Sequence, residues 1–310
     1  MAYVPALSWV GSLRLADLTG EDRWREKPRR DLRPFLTGER NAIPEPYQVF
    51  TLAGHISTFE LGRLGNEDAA ALAREVARLM IPQEAGEVVR FATGWAEDVY
   101  MVSSLLARVG GTSGGEEYEG IVGRLLTASV ETLQRADGLF IHAPDSPFAW
   151  GRGNGFAALG MSEALTWLPE DWAERSTVLE AYRRQMRALV ARQTDDGSWR
   201  QIVDDPASYR ELTVTAMTVA AMARGVRLGW LDPELYLPVI DRGWQAVLAR
   251  TGEDGTVRDA CTSTGAGPTR EYYLERPTVN GADDRAGGLV LLAALEVEQM
   301  RRSPASGARD

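Results

Sequence analysis

The sequence predicts an all-α protein built from repeated helical hairpins. Apolar residues recur at three- and four-residue spacing along most of the chain, strand-like alternation is rare and short, and a glycine turn returns at a nearly constant interval. Hydrophobic residues make up 44% and charged residues 25% of the chain, proportions typical of a globular protein. These proportions exclude disordered and fibrous classes.

Helical periodicity is clearest in seven segments, each with an apolar stripe that must be buried against a neighbour. They are residues 69–80, 99–109, 121–133, 156–167, 178–190, 212–226 and 287–300. With the weaker candidates the count reaches eleven helices, one fewer than six complete hairpins require.

A glycine follows a helical segment five times, at Gly38, Gly86, Gly138, Gly197 and Gly255, with separations of 48, 52, 59 and 58 residues. The last three turns contain Asp-Gly, which suits a tight turn because glycine accepts positive φ without steric cost. A hairpin of two helices cannot bury its apolar face alone, so neighbouring hairpins must stack. Five or six such units predict a closed ring, and an open α-solenoid is the alternative that the same period permits.

Unusual polar and aromatic residues gather at equivalent places in four of these units, where loops enter the next helix. The segments are 95–98, 150–156, 209–215 and 272–285. We therefore expect a functional site on one face of the ring. The irregular stretches 200–210 and 259–284 also favour a functional protein over a simple scaffold, because loops of that length are usually functional.

The net charge of −10 argues against a nucleic-acid partner, which would require a basic face. Cys261 is the single cysteine, so no intramolecular disulfide can form, and no stretch is long enough to be a membrane helix. The N-terminus does not resemble a signal peptide. We expect a cytoplasmic protein with one catalytic domain at residues 1–302, a disordered tail at 303–310, no membrane contact, no metal and no cofactor.

Asp98 lies where a helix is predicted to begin, which by itself fits a carboxylate favoured by the helix dipole. His142 lies in a loop leading to Arg152, whose flanking glycines let the backbone approach a ligand and whose planar fork suits a carboxylate. The aromatic residues of the same loops suit stacking on sugars, although packing is the commoner role. The candidate substrate contacts in these loops are Trp95, Trp150, Trp199, Tyr209, Glu211 and Thr213.

Six motifs in this order resemble glycoside hydrolase families 105 and 88, the unsaturated rhamnogalacturonyl and glucuronyl hydrolases. They are Trp-Ala-Glu-Asp-Val-Tyr-Met at 95–101, Asp-Gly-Leu-Phe-Ile-His at 137–142, Phe-Ala-Trp-Gly-Arg-Gly-Asn-Gly-Phe at 148–156, Asp-Gly-Ser-Trp-Arg-Gln at 196–201, Glu-Leu-Thr-Val-Thr-Ala-Met at 211–217 and Tyr-Tyr-Leu-Glu-Arg-Pro at 272–277.

The resemblance implies an (α/α)6 barrel that removes 4,5-unsaturated uronic acids from the non-reducing ends of lyase-derived oligosaccharides. It further implies that Asp98 is the catalytic acid and base, and that His142, Arg152 and Phe156 contact the substrate. The family usually has Trp where this chain has Phe156, a residue that keeps a stacking face but lacks the indole donor.

The chain departs from the family pattern upstream, where a further functional Asp is general. No Asp occurs between Leu32 and Glu67, and we consider Glu39 and Glu45 as substitutes. Two other functions stay open: a conventional inverting glycosidase that pairs Asp98 with another acid, such as Asp145, Glu211 or Asp284, and a non-catalytic carbohydrate-binding homologue.

Overall fold

The computed structural model describes residues 1–303, which form thirteen α-helices and four short strands. The helices are α1 (Tyr3–Thr19), α2 (Arg23–Leu36), α3 (Val49–Leu52), α4 (Ile56–Arg63), α5 (Glu67–Leu79), α6 (Asp98–Gly110), α7 (Glu116–Leu133), α8 (Gly151–Trp167), α9 (Arg175–Val190), α10 (Leu212–Arg227), α11 (Pro233–Leu248), α12 (Arg270–Leu274) and α13 (Asp284–Arg302). Strand β1 (Trp199–Arg200) pairs antiparallel with β2 (Arg210–Glu211), and β3 (Val257–Cys261) pairs antiparallel with β4 (Thr278–Gly281).

The longer helices form two concentric rings. The inner ring is α1, α4, α6, α8, α10 and α13, in which each helix packs against the next and α13 packs back against α1. Helices α2, α5, α7, α9 and α11 form the outer ring, each packed on the inner helix that precedes it. Because α13 returns to α1, the ring is closed. The architecture is the (α/α)6 toroid that the sequence predicted, and not an open solenoid.

Burial distinguishes the two rings. Every residue of the inner helix α6 is buried, whereas the outer helix α9 buries only one stripe. The inner helices also approach one another closely: a Cβ on Gly160 of α8 would lie 2.1 Å from the carbonyl oxygen of Val99 at the start of α6. The absence of a side chain at this position lets α8 pack directly on the end of α6 that carries Asp98.

The five predicted glycine turns all adopt the left-handed conformation, with φ between 79° and 95° at Gly38, Gly86, Gly138, Gly197 and Gly255. The seven segments with clear periodicity all lie on helices, except that Met80 follows the end of α5. The five turns thus connect the hairpins of the ring, as predicted from the sequence.

The larger of two hydrophobic clusters contains residues from Met1 to Met300, which supports our proposal that residues 1–302 form a single domain. Apart from Ser303, the tail predicted at 303–310 lies outside the described residues. Within residues 1–303 no helix is both long and apolar enough to cross a membrane.

A buried ionic network joins five inner-ring side chains. Glu163 receives contacts from Arg108 at 2.5 Å and from Arg224 at 2.9 Å, while Glu60 pairs with Arg108 and Glu296 with Arg224. Burial alone would raise the pKa of Glu163, but the guanidinium groups of Arg108 and Arg224 outweigh burial and hold that pKa well below its ordinary value. The network therefore depends on each carboxylate being charged.

We expect Glu163→Gln to lower the free energy of unfolding by about 3–5 kcal/mol, because it leaves the buried guanidinium groups of Arg108 and Arg224 short of one negative charge. Urea denaturation measures this change. Glu170→Gln is the matched control, since the Glu170 side chain is 88% exposed and its pair with Arg175 is worth about 1 kcal/mol at most. Equal effects of the two substitutions would contradict the prediction.

Candidate active site

A cavity of about 300 Å³ opens at the end of the ring where α6 and α8 begin. The N-terminal ends of α1, α3, α6, α8 and α13 contribute to its wall, together with the loops at 93–97 and 262–264. Its lining residues are Ala2, Tyr3, Val4, Val49, Phe50, Thr93, Trp95, Glu97, Asp98, Met101, Trp150, Arg152, Phe156, Ser263, Thr264 and Arg285. Three of the four loop segments singled out in the sequence thus meet at one cavity.

Asp98 is the first residue of α6 and is almost fully buried in the cavity wall. Its Oδ2 accepts hydrogen bonds from the backbone amides of Thr93 at 2.6 Å and Gly94 at 2.7 Å, and the Thr93 hydroxyl donates to the carboxyl at 3.1 Å. Burial nevertheless raises the pKa of Asp98 to about 6, with a further rise from the neighbouring Glu97. A carboxyl with this pKa can carry and exchange a proton near neutral pH.

If the reaction begins from protonated Asp98, kcat/KM should fall above about pH 6 and lose roughly 100-fold by pH 8, since each pH unit above the pKa removes about nine-tenths of the acid form. A pH profile of kcat/KM measures this fall. Thermal melting over the same pH range is the control, because a stable fold rules out unfolding as the cause. A flat profile between pH 6 and 8 would contradict the assignment.

Glu97 precedes Asp98 and also lines the cavity, and its carboxyl contacts the ring of His142. The Nε2 atom of His142 lies 3.2 Å from Oε1 and 3.1 Å from Oε2 of Glu97. His142 itself is fully buried behind the wall, with its ring 4.3 Å from that of Trp150 and 5.5 Å from that of Trp95, centroid to centroid. The structure therefore places His142 in contact with three lining residues, behind the lining itself.

Arg152 lines the cavity, but both ends of its guanidinium fork are occupied. One terminal nitrogen donates to the carbonyl oxygen of Cys261 at 2.6 Å and the other to that of Thr262 at 2.5 Å. These bonds hold the loop that brings Ser263 and Thr264 into the wall. The charge of Arg152 stays in the wall, while its planar fork fixes this loop.

Arg285, the second residue of α13, is the other cation of the lining. Its Nε donates to the hydroxyl of Tyr3 at 2.9 Å, and no carboxylate of residues 1–303 lies within ion-pair distance of its guanidinium. Its side chain is half-buried. Arg285 therefore has both terminal nitrogens available to an anion in the cavity, whereas each terminal nitrogen of Arg152 already donates to a backbone carbonyl oxygen.

Aromatic rings form much of the remaining wall. Phe156 is stacked on Tyr100 at 5.6 Å and meets Tyr3 edge-on at 5.8 Å, and both Phe156 and Trp150 are almost fully buried. Trp95 and Phe50 are more exposed. Trp95 and Phe50 thus present accessible ring surface of the kind that packs on sugar faces.

Besides His142, four of the predicted contact residues lie outside the lining. Glu211 is fully buried and caps α10, accepting from the amides of Thr213, Val214 and Cys261 and from the Thr213 hydroxyl. The indole nitrogen of Trp199 donates to the carbonyl oxygen of Leu189 in the core. The other two residues outside the lining are Thr213, which is buried beside Glu211, and Tyr209, which precedes β2 and is half-buried. Glu211 still supports the cavity indirectly, because its bond to Cys261 holds the same loop as Arg152.

Neither candidate for the missing upstream acid reaches the cavity. Glu39 and Glu45 are exposed and do not belong to the lining, so within the described chain the lining carboxyls are Glu97 and Asp98. Val49 and Phe50, which belong to α3, form the part of the wall contributed by the upstream segment.

The candidate list from the sequence did not contain the lining residues Tyr3, Thr93, Ser263 or Thr264, and no local motif marks them. Within residues 1–303 no group of three His, Cys, Asp or Glu side chains is arranged to hold a metal ion.

The family model described as Glycosyl Hydrolase Family 88 matches residues 2–301. The unsaturated rhamnogalacturonyl hydrolase YesR of Bacillus subtilis is 30% identical over 204 residues, which cover 62% of this chain and 56% of that protein. Protein Atu3128 of Agrobacterium fabrum is 30% identical over 215 residues, covering 56% of this chain and 88% of that protein. The chain therefore aligns with little more than half the length of YesR.

Solved structures share the fold. A possible GH105 family member from Salmonella enterica superposes with a TM-score of 0.85 at 19% identity, covering 96% of this chain and 82% of that one. The unsaturated glucuronyl hydrolase of Bacillus sp. GL1 superposes with a TM-score of 0.66 at 18% identity, covering 96% of this chain and 85% of that one. At these identities the likeness establishes the (α/α)6 fold.

Proposed function

The chain belongs to glycosyl hydrolase family 88, and from that premise we propose that it removes 4,5-unsaturated uronic acids from the non-reducing ends of lyase-derived oligosaccharides. The observation that carries the proposal is Asp98, a buried carboxyl whose pKa is raised to about 6 in the wall of a cavity that also presents a free guanidinium. The names of the relatives, which include unsaturated rhamnogalacturonyl and unsaturated 3S-rhamnoglycuronyl hydrolases, support the same substrate class.

The C4–C5 double bond of such a sugar is an enol ether that a single carboxylic acid can hydrate. Protonated Asp98 donates its proton to C4, and the positive charge that develops at C5 is shared with the ring oxygen. The Asp98 carboxylate then takes a proton from a water whose oxygen bonds to C5. The resulting C5 hemiketal opens to a ketone and leaves a hemiacetal at C1, while Asp98 has recovered its proton. The hemiacetal then collapses to an aldehyde, which breaks the bond between C1 and the glycosidic oxygen and transfers the hemiacetal proton to that oxygen, so the remaining saccharide is released as an alcohol.

A conventional inverting glycosidase would need a second free carboxyl across the cavity from Asp98, roughly 6.5–9.5 Å away. The acids that could have served, Asp145, Glu211 and Asp284, all lie outside the lining, and the Glu97 carboxyl is held by His142. Hydration by one acid therefore fits the cavity better than hydrolysis by a pair.

A panel of unsaturated disaccharides with different second sugars tests the proposal, with the loss of the ultraviolet absorbance of the conjugated alkene as the readout. We expect consumption of at least one member, and the relative rates identify the preferred second sugar. If every member is bound but none is consumed, the chain is a carbohydrate-binding homologue.

We expect Arg285→Met to raise KM for an unsaturated uronide by roughly 10- to 100-fold, because a charge-assisted hydrogen bond to the carboxylate is worth about 1.5–3 kcal/mol. Steady-state kinetics measures this rise. Arg258→Met is the matched control, since Arg258 is exposed and lies outside the lining. An unchanged KM in the Arg285→Met variant would remove Arg285 from the carboxylate site.

The proposed location is the cytoplasm, which is supported by the single cysteine and hence the absence of an intramolecular disulfide. The proposed partner is the unsaturated oligosaccharide itself. The net charge of −10 supports our expectation that nucleic acid does not bind.

A further inference from the structure

Four polar side chains form a hydrogen-bonded chain that leads from the cavity into the protein. It begins at Glu97 and continues through His142, whose Nδ1 lies 2.5 Å from the hydroxyl of Tyr273. That hydroxyl lies 2.5 Å from the hydroxyl of Ser146, which donates to the carbonyl oxygen of Gly267 at 2.7 Å. All the groups beyond Glu97 are buried, so these bonds must be satisfied among themselves.

Counting hydrogens along this chain assigns the proton on His142. A carbonyl oxygen only accepts, so the single hydrogen of Ser146 goes to Gly267. The contact between Ser146 and Tyr273 must then use the hydrogen of Tyr273, which keeps it at neutral pH because burial raises the pKa of this phenol. Because the Tyr273 hydrogen is used in this way, Nδ1 of His142 must carry the hydrogen of the bond between Tyr273 and His142.

The same count shows that Glu97 is not a carboxylate facing a neutral His142 ring. With Nδ1 protonated, a neutral imidazole would direct the lone pair of Nε2 at a carboxylate 3.1–3.2 Å away, which is a repulsive contact. One further hydrogen between Nε2 and the Glu97 carboxyl turns it into a hydrogen bond. The pair is then neutral in total, as imidazolium with carboxylate or as imidazole with carboxylic acid.

We propose that Glu97 and His142 hold one proton between them and that this proton keeps the Glu97 end of the cavity electrically neutral, so that it admits an anionic sugar beside Asp98. The pair is a positioning device, and the identity of the anionic sugar rests on the proposed function. The charged and titratable groups that face the pair are Asp98 on α6, Arg152 on α8 and Tyr273 on α12.

The first test reads the hydrogen on Nδ1 of His142, on which the count depends, by NMR of the protein labelled with 15N at histidine. The chain has two histidines, so the spectrum contains two rings, and His142→Gln assigns them. His55 serves as an internal reference, because burial lowers its pKa to about 3 and its Nε2 donates to the carbonyl oxygen of Ala42. We expect Nδ1 of His142 to carry a hydrogen that it donates to the hydroxyl of Tyr273. An unprotonated Nδ1 would overturn the proposal, whether or not the protein is an enzyme.

The second test reads the consequence for binding, by KM against pH on an unsaturated disaccharide. In His142→Gln, the Glu97 carboxylate has no counter-charge, so KM should be roughly tenfold higher than in the wild type, while kcat changes less. In the double variant Glu97→Gln/His142→Gln, the charge is gone and KM should return toward the wild-type value over the whole range. A role of His142 in packing alone predicts equal KM in the single and double variants, and that result would overturn the proposal.

The two tests separate this proposal from the proposed function. Wild-type protein that consumes no unsaturated uronide refutes the function, and the NMR spectrum still decides whether Nδ1 carries the hydrogen that the proton pair requires. Wild-type protein that is active but shows an unprotonated Nδ1 refutes the proton pair and leaves the function standing.

Discussion

Asp98→Asn should abolish turnover while leaving the protein folded and still able to bind its substrate. Asn is nearly isosteric with Asp but cannot exchange a proton in the working pH range. General acid–base assistance is typically worth about 10²–10⁴-fold in rate, and Asp98 serves as acid in one half of the proposed reaction and as base in the other. We therefore expect a loss of about 10⁴-fold in kcat, measured by the disappearance of the alkene absorbance.

The cost of Asp98→Asn to folding should be small by comparison. Asn keeps one oxygen to accept from the amides of Thr93 and Gly94, and an imperfectly paired amide costs about 1–3 kcal/mol, within the stability of a typical domain. Asp145→Asn is the matched control, because the exposed Asp145 lies outside the lining and should keep full activity. If the Asp98→Asn protein melts normally and retains near-wild-type turnover, Asp98 is a structural helix-start carboxylate only.

The ring was predictable because its signals are local. A glycine turn can be recognised without knowledge of a distant partner, and all five predicted glycines have positive φ in the structure. The position of Asp98 at a helix start was predictable for the same reason, since it begins a periodic helical segment, whereas its catalytic role was implied by the family resemblance and stays a prediction.

The composition of the cavity was less predictable because it depends on which way each loop side chain turns. Trp95 and Trp199 both follow a glycine turn, yet Trp95 lines the cavity while Trp199 is fully buried and donates to Leu189. Glu211 occupies a loop end like that of Glu97 but faces four donors in the protein interior, three of them on its own helix. The position of a residue in the repeat thus predicts at which end of the ring it lies, but it does not predict whether the side chain faces the cavity or the protein interior.

The repeat predicted a closed ring, but the individual contacts that close it have no local signal in the sequence. Tyr3 and Arg285 meet across 282 residues of sequence, and their hydrogen bond forms part of the cavity wall. Similarly, the chain from Glu97 to Ser146 depends on Tyr273, which arrives from α12. The contact between Tyr3 and Arg285 follows from packing of the first and last inner helices, which no motif in either segment encodes.

The protein should consume 4,5-unsaturated uronides and leave the corresponding saturated uronides intact. Only the unsaturated sugar has a C4 that can accept the proton of Asp98, and a saturated glycoside would need an acid aimed at its leaving oxygen together with a separate base for water. In the cavity Asp98 could serve as the acid, but the other lining carboxyl, Glu97, is hydrogen-bonded to His142 and is therefore not free to serve as the base.

The measurement compares two disaccharides that differ only in the C4–C5 bond, with release of the second sugar followed by chromatography so that one readout serves both. The saturated compound should bind through the same carboxylate contact and inhibit competitively, which separates a failure of chemistry from a failure of binding. Release of the second sugar from both compounds at comparable rates would require a second acid–base group in the cavity, and the single-acid mechanism would then be wrong. Because the two compounds share their charge and most of their shape, discrimination between them has to arise from protonation at C4, the step assigned to Asp98.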